Sequence, residues 1–414
     1  MLSSFYNTPT LSMKITDVRT ILLTGPCTND SYLSEARQRR SAAFIEIHTD
    51  TELVGLGETY AGYFCPELVP GVVNFYKPIL LGQTVANIAQ LWQRMYHCEN
   101  FWGRVGLAPA VLSGIEAALW DLKGKMLGLP VYELLGGRQH ESLACYATGG
   151  PSNYPLEKLA AKIEYYLSLG FRAVKIASGA WPSEFGAERG VRATADFEAH
   201  KLSFLRSHFG HDIQIMLDGH MGNRPQATWD LNTALAVMRA VEPYDLFFFE
   251  EPLHYTDPWG YRELRRATTV PIAGGECLTT LYEWRVFAEQ ECFDIAQPDA
   301  AFTGGLNEFM RVAALFASRG HRIATHSWAA GGGFMQNIHC GFAAANTAIL
   351  EIAPAFGPLH SEIIGDSFIM RDGQVFPPQQ PGLGIQLTDK TKERFPFIPG
   401  SGEFNSVPGK ILRD

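Results

Sequence analysis

Ionisable side chains end a series of short apolar runs in the second part of the sequence. They are Lys175, Asp218, His220, Glu250, Glu276, Asp299, His326 and Glu351. The carboxylates Asp218, Glu250 and Glu276 end three consecutive runs, and carboxylates that lie together raise one another's pKa unless a cation separates them. Ligands that are all oxygen suit a hard divalent ion, Mg²⁺ first and Mn²⁺ second. The pattern therefore predicts a divalent cation site, with a rim cross-linked by salt bridges as the alternative.

The second ligand of such a site is ambiguous. Glu250 is followed by Glu251, and adjacent residues of a strand point to opposite faces, so only one of the two faces the shared site. His220 follows Asp218 by two positions, which directs both side chains to the same face of an extended segment. His220 is therefore a candidate second acid or base, or a donor to the substrate.

Asp299 and His326, which end neighbouring runs, form a candidate general base. A carboxylate beside an imidazole fixes the tautomer of the ring and raises its pKa, and this arrangement is usual for a general base. The pair predicts that acid–base chemistry accompanies the cation.

Eight apolar runs, separated for the most part by helical stretches, carry these residues. The runs are 143–149, 171–177, 213–220, 246–252, 271–276, 294–299, 322–327 and 348–352. Strands that alternate with helices predict an α/β fold with a parallel sheet, and eight of them predict a closed barrel. Because the loops after the strands form the active-site face of such a barrel, the ionisable residues are expected to meet at one rim.

The first part of the chain predicts a separate α+β domain. Residues 14–24 and 42–49 alternate apolar and polar residues like half-buried strands, and the irregular segment 25–40 lies between them. A helical pattern follows over 71–127 and stops at a Gly-Leu-Pro sequence. The segments 25–40 and 55–67 are expected to close over the barrel mouth and to determine substrate specificity.

The chain is expected to divide into four segments. These are a disordered extension at 1–12, a capping domain at 13–135, the barrel at 136–365 and a tail at 366–414 that returns to the capping domain. Within the tail, the sequence FIMRDGQVF predicts a turn-linked strand pair able to rejoin the capping domain.

The composition limits the classes of partner and compartment. The 414 residues include 34 Lys and Arg against 43 Asp and Glu, a formal net charge of −9, and no basic run longer than a pair, which argues against a nucleic-acid partner. Neither a membrane-spanning stretch nor a signal peptide is expected. Seven widely spaced cysteines without a Cys-x-x-Cys motif are typical of reduced thiols in a cytoplasmic protein.

Sequence motifs for nucleotide binding and for a serine nucleophile are absent, since there is no P-loop, dinucleotide-binding turn or Gly-x-Ser-x-Gly elbow. The run Gly331-Gly332-Gly333 follows the seventh strand and predicts a close approach of the backbone to a ligand.

With these residues and motifs, the sequence resembles the enolase superfamily and, within it, the mandelate racemase-like branch of acid-sugar dehydratases, epimerases and cycloisomerases. The resemblance covers nearly all of the chain from Met13 and rests on SGIEAALWDLKGKMLGLPVYELLGG and on the strand ends FFFEEP, PIAGGE, QPDAAFTGG and ATHS. It implies a capping domain on a modified (β/α)7β barrel, Mg²⁺ on Asp218, Glu250 and Glu276, and a homo-oligomer. In this superfamily a Lys or His base acts with Mg²⁺, which stabilises an ene-diolate.

One departure from the family concerns the end of the second barrel strand. The branch usually carries Lys-x-Lys there, with the second lysine as a base, whereas this chain has Lys175-Ile176-Ala177. Epimerisation needs acid–base groups on both faces of the enolate, so the missing lysine disfavours it. The sequence Asp218-Gly219-His220 resembles galactonate- and mannonate-type dehydratases instead, and the combination favours dehydration.

The resulting hypothesis is a Mg²⁺-dependent sugar-acid dehydratase acting on a small carboxylate substrate. The His326–Asp299 pair removes the C2 proton, and Lys175 and Glu351 stabilise the enediolate. The 3-hydroxyl leaves with a proton from His220 or His326, giving a 2-keto-3-deoxy acid. The alternatives are a sugar-acid or lactone cycloisomerase or epimerase of the same branch, and a non-catalytic sugar-acid binder. The predicted substrate contacts are Tyr146, Trp328, Arg40 and Tyr60.

Overall fold

The computed structural model describes residues 13–149, 155–179, 190–223 and 228–402, so the predicted extension 1–12 lies outside the described residues. The strands are β1 Ile15–Pro26, β2 Arg39–Thr49, β3 Val54–Thr59, β4 Leu143–Thr148, β5 Ala173–Ala177, β6 Gln214–Asp218, β7 Leu246–Glu250, β8 Ile272–Gly274, β9 Ile295–Ala296, β10 Arg322–Ala324, β11 Thr347–Ile352, β12 Ile369–Arg371 and β13 Gln374–Phe376. The helices are α1 Glu35–Gln38, α2 Ala61–Phe64, α3 Val69–Leu80, α4 Ile88–Glu99, α5 Leu107–Leu127, α6 Val131–Leu134, α7 Leu156–Ser168, α8 Val191–Phe209, α9 Leu231–Val241, α10 Pro258–Arg266, α11 Thr280–Glu289, α12 Leu306–Ala317, α13 Gly332–Ala343, α14 Pro358–Ile364 and α15 Asp389–Arg394.

Strands β4 to β11 form a closed parallel barrel, as the eight apolar runs predicted. The barrel closes where β11 pairs with β4, with Glu351 opposite Tyr146. An apolar layer fills its interior: Tyr146, Ala173, Met216, Phe248, Ala273, Ile295, Ala324 and Ile349. Side chains two positions apart along a strand face the same way, so the next inward positions of four of these strands belong to Lys175, Asp218, Glu250 and Glu351. These four ionisable side chains therefore form a polar layer directly above the apolar layer of the barrel interior.

The capping domain consists of the antiparallel sheet β1-β2-β3 and the helices that follow it. Helix α5 is buried over most of its length and packs on β3. A Cβ at Gly57 would lie 2.2 Å from the Gly114 carbonyl oxygen, so glycine is required where strand and helix meet. The helix ends at Gly128, whose φ of 69° is the left-handed conformation of a glycine cap.

The loop between β1 and β2 is shorter than the sequence predicted and is attached to the barrel. Both strands extend further, so that Pro26 pairs with Arg39. The hydroxyl of Tyr166, on α7, donates a hydrogen bond of 2.5 Å to Asp30 Oδ2 in this loop. Leu33 from the same loop packs in a cluster with capping and barrel side chains beside the site.

The tail returns to the capping domain by way of the barrel. Strands β12 and β13 form the predicted hairpin, but β13 pairs with β4, with Gln374 opposite Ala144. The hairpin therefore lies at the barrel, where the edge of β13 pairs with a barrel strand. Residues beyond it do reach the capping domain, where the Leu383 N–H donates to Asp121 Oδ1 at 2.8 Å.

All seven cysteines are unpaired. Among the helices in the described ranges, none combines the length and the apolar character needed to cross a membrane.

Buried His339, on α13, makes the stability of the fold depend on pH. Its Nδ1 accepts the Tyr132 N–H at 3.2 Å, and burial lowers the pKa of His339 to about 4. Because a histidine in the unfolded chain takes up a proton near pH 6.5, the free energy of unfolding is expected to fall by about 3 kcal/mol as the pH drops from about 6.5 to about 4. His339→Asn keeps a hydrogen-bond acceptor but does not titrate. Its free energy of unfolding is therefore expected to fall by about 3 kcal/mol less than that of wild type over the same pH range.

Urea unfolding at pH about 7.5 and about 4.5 measures that difference. His97→Asn, at an exposed position of α4, is the matched control and retains the full loss. An equal pH dependence in wild type and His339→Asn contradicts the assignment.

Candidate active site

The carboxyl-terminal rim of the barrel brings together the ionisable residues that the sequence singled out. Lys175, Asp218, Glu250 and Glu351 lie on β5, β6, β7 and β11, and His220, Glu276, Asp299 and His326 lie within three residues of the ends of β6, β8, β9 and β10. The alternation of side chains along each strand directs them to the barrel axis.

Lys175 is the centre of one half of this site. Its ammonium lies 3.1 Å from Asp218 Oδ2, 2.7 Å from Glu250 Oε2 and 3.0 Å from Glu351 Oε1. Burial by itself would lower the pKa of Lys175, but the three carboxylates raise it well above its ordinary value. The ammonium therefore stays charged and bridges three carboxylates from different strands.

Glu276 lies between two histidines in the other half. Its Oε1 is 3.4 Å from His220 Nε2, and its Oε2 is 3.4 Å from His326 Nε2. Burial disfavours the charged carboxylate, yet the imidazoles hold the pKa of Glu276 well below its ordinary value. Burial opposes protonation of the rings, but the nearby carboxylates raise the pKa of His220 to about 9 and that of His326 to about 10. Two acid–base groups therefore face one carboxylate.

Asp299 orients His326. The His326 Nδ1 lies 2.8 Å from Asp299 Oδ2, and the other carboxylate oxygen accepts hydrogen bonds from the Ala301 N–H and Asn337 Nδ2, both at 2.8 Å. Asp299 thus holds the Nδ1 side of the ring, and Nε2 is the nitrogen that faces the site. Asn337 was missed by the sequence reasoning, because a neutral amide on a helix gives no signal of its contact with a carboxylate on another element.

Of the two adjacent glutamates, Glu250 faces the barrel axis. Its Oε2 accepts hydrogen bonds from Lys175 Nζ and from Gln297 Nε2, the latter at 2.6 Å. Glu251 lies just beyond the strand with a left-handed φ of 42°, and burial raises the pKa of its carboxyl well above the ordinary value. Gln297 was not predicted as a site residue, although its position two residues before Asp299 places it on the same face of an extended segment.

The carboxylates fit a divalent cation by their chemistry. Glu250 Oε1 is buried without a hydrogen-bond partner, Glu276 Oε2 has the His326 ring at 3.4 Å but no hydrogen bond, and buried carboxylate oxygens require a donor or a cation. In the part of the chain that the structure describes, no three or more His, Cys, Asp or Glu side chains are already arranged as a metal cage. Lys175 and His220 instead bridge the carboxylates. The donor set is therefore suitable for Mg²⁺ but is cross-linked by cationic side chains.

Aromatic side chains of the capping domain cover the site. The Tyr60 ring lies 5.3 Å from the His326 ring and stacks on Tyr63. Trp328 Nε1 donates to the Tyr63 hydroxyl at 3.1 Å, and the Arg40 guanidinium lies 3.9 Å from the Trp328 ring centroid. Tyr60, Tyr63 and Trp328 thus form an aromatic cover over the site. Of the four predicted substrate contacts, Tyr60 and Trp328 belong to this aromatic cover, and Arg40 is buried behind Trp328. The fourth, Tyr146, is fully buried in the apolar layer of the barrel, with its ring 5.7 Å from Lys175 Nζ.

Glu58, on β3, binds the glycine run after β10. Its carboxylate accepts the Ala330 and Gly333 N–H groups, both at 2.8 Å, and burial raises the pKa of Glu58 to about 7. A Cβ at Gly332 would lie 2.8 Å from the Glu58 Cβ. The close approach that these glycines permit is thus made to the protein's own capping domain.

Comparison with known proteins extends these observations over most of the chain. Residues 29–136 match the mandelate racemase/muconate lactonizing enzyme N-terminal domain, and residues 158–391 match the enolase C-terminal domain-like family. The chain is 32% identical to arabinonate dehydratase of Saccharolobus solfataricus over 355 residues, 84% of this chain and 89% of that protein. It is 30% identical to D-galactarolactone cycloisomerase of Agrobacterium fabrum over 389 residues, 91% and 97% of the two chains. The crystal structure of L-talarate dehydratase from Polaromonas sp. JS666, complexed with Mg and L-glucarate, superposes with a TM-score of 0.79 at 26% identity and covers 93% of this chain and 98% of that one.

Proposed function

The chain belongs to the mandelate racemase-like branch of the enolase superfamily, and we propose on this basis that it is a Mg²⁺-dependent sugar-acid dehydratase. The substrate is an aldonate or aldarate, and the product is a 2-keto-3-deoxy acid. The observation that carries the proposal is the Asp299–His326 pair, which presents Nε2 to a buried carboxylate cluster. Ala177 stands where a second lysine would supply a base on the opposite face.

The proposed metal ligands are Asp218, Glu250 and Glu276. These residues would hold Mg²⁺, or Mn²⁺ in its place, and the ion would supply positive charge that stabilises negative charge developing on a bound substrate. Glu250 Oε1, which is buried without a hydrogen-bond partner, supports this assignment.

His326 removes the proton from C2 at its Nε2. Asp299 keeps the proton on Nδ1, so Nε2 is the nitrogen at which the ring loses its proton to become the base. The Lys175 ammonium, held by Glu351, donates to the carboxylate of the resulting enediolate. The residues thus divide into a base on one side of the cluster and a fixed positive charge on the other.

The 3-hydroxyl then leaves as water after it takes a proton from His220 or His326. Both Nε2 atoms lie 3.4 Å from the Glu276 carboxylate, so both imidazoles face the proposed substrate site. Departure of water gives an enol, which takes up a proton at C3 and becomes the 2-keto-3-deoxy acid. General acid–base groups of this kind contribute about 10²–10⁴-fold each.

Substrate specificity is proposed to depend on the aromatic cover formed by Tyr60, Tyr63 and Trp328. Tyr60 and Trp328 contact the substrate, and Arg40 acts through its stack on Trp328. Tyr146 supports the site from beneath Lys175.

A cycloisomerase or epimerase of the same branch is the second candidate. His220 and His326 both contact Glu276 and provide two acid–base groups. The similarity to a D-galactarolactone cycloisomerase favours such an enzyme over a non-catalytic binder. The net charge of −9 and the unpaired thiols support a cytoplasmic protein without a nucleic-acid partner. The family resemblance supports a homo-oligomer.

An NMR assay in D₂O over a panel of aldonates, aldarates and their lactones separates these candidates. With Mg²⁺, dehydration is expected to give a 2-keto product with deuterium at C3, and EDTA is expected to abolish turnover. An epimer of the substrate that carries deuterium at C2 and keeps all of its hydroxyls, or ring opening of a lactone without loss of water, establishes the second candidate instead. No Mg²⁺-dependent turnover on any member of the panel contradicts the proposal.

A further inference from the structure

Gln297 contacts the carboxylate cluster from within the barrel. It follows β9, and its backbone N–H donates to the Gly274 carbonyl at 3.0 Å, which continues the barrel ladder. The side chain is fully buried, and its Nε2 lies 2.6 Å from Glu250 Oε2. A neutral amide is thus placed on a carboxylate that already contacts an ammonium.

The two donors on Glu250 share one oxygen. Lys175 Nζ and Gln297 Nε2 both donate to Oε2, whereas Oε1 is buried and has no hydrogen-bond partner. A carboxylate whose one oxygen is held by two donors cannot rotate freely, so its second oxygen keeps a fixed direction. An amide provides the second donor without a second positive charge, which would repel a cation nearby.

We propose that Gln297 is a positioning residue that holds Glu250 Oε2 and thereby reserves Oε1 for the divalent cation. This inference rests on the proposed function, because it presupposes a cation at the cluster. Hydrogen bonds to metal-ligating carboxylates orient the ligand, and their loss typically costs about 10–100-fold in metal affinity.

The test is Mn²⁺ binding to the substrate-free protein, measured by the EPR signal of free Mn²⁺. Gln297→Met removes the donor at similar side-chain length, and Gln297→Leu is a second variant in case the first does not fold. The Kd for Mn²⁺ is expected to rise about 10–100-fold in a folded variant. Gln93→Leu, at an exposed position of α4, is the matched control and leaves the Kd unchanged.

A folded Gln297 variant with the wild-type Kd and only a lowered melting temperature overturns the inference, since this is the result of a purely structural role. That outcome leaves the proposed function intact, because wild type still binds Mn²⁺. Absence of Mn²⁺ binding to wild type overturns the proposed function together with the inference.

Discussion

Replacement of His326 by asparagine is expected to lower kcat by about 10²–10⁴-fold, the contribution typical of a general base. Asn retains an amide at this position but has no nitrogen that accepts a proton. Because Asp299 is also held by Asn337 and the Ala301 N–H, its carboxylate keeps two of its partners in the variant. The fold is therefore expected to survive while proton removal at C2 is lost.

Turnover and exchange of the C2 proton with D₂O, followed by NMR on the same samples, measure this effect. His211→Asn is the matched control, because the His211 side chain is 68% exposed and lies outside the site. His220→Asn tests the acid separately: if His220 protonates the leaving hydroxyl, C2 exchange persists in that variant while water loss slows. If C2 exchange and turnover are unchanged in His326→Asn, the assignment of His326 as the general base is wrong.

The barrel and the residues on its rim were predictable because both follow from local rules. The side chains of a strand alternate, so the apolar runs identify the strands, and parallel strands end at the same rim. Lys175 and Asp299 were therefore located from their positions at run ends alone. Strand alternation could not decide between Glu250 and Glu251. Both residues are buried, and alternation shows that they face opposite ways without showing which one faces the barrel axis.

The contacts that fix these side chains depend on residues far apart in sequence and were not predictable. Glu58 lies on the capping domain and binds the Gly333 N–H, a partner 275 positions away. Asn337 and Gln297 are neutral amides, and their types indicate a function only once their neighbours are known. The pairing of the tail hairpin with β4 was not predictable for the same reason, since the sequence of a strand pair does not show which sheet edge it joins.

Ala177 connects the sequence departure to the choice of reaction. It lies two positions after Lys175 on β5 and pairs with Asp218, so a longer side chain there would point to the same face as the ammonium. Strand β5 thus contributes the ammonium of Lys175 and no second lysine, and the other ionisable ring near Asp218 is that of His220. Proton removal by His326 followed by loss of a hydroxyl requires no base on the opposite face, whereas epimerisation does.

Lys175→Met is expected to reduce both stability and activity. The Lys175 side chain is 4% exposed, and its ammonium lies 3.1, 2.7 and 3.0 Å from three carboxylates. Breaking a buried ion pair by removal of one partner typically costs about 3–5 kcal/mol, because the remaining charge is buried without compensation. Loss of the donor to the enediolate is expected to lower kcat by a further factor of about 10²–10³.

Urea unfolding with EDTA and with Mg²⁺ separates the two explanations of the carboxylate cluster. If the carboxylates are metal ligands, Mg²⁺ replaces part of the missing positive charge and stabilises Lys175→Met more than it stabilises wild type. If the cluster is only a salt-bridged rim, Mg²⁺ stabilises neither protein and the full loss remains. Lys390→Met, at an exposed position of α15, is the matched control and is expected to unfold like wild type under both conditions. Wild-type stability of Lys175→Met in EDTA contradicts the role assigned to the ammonium, because three buried carboxylates without a cation cannot remain charged at no cost.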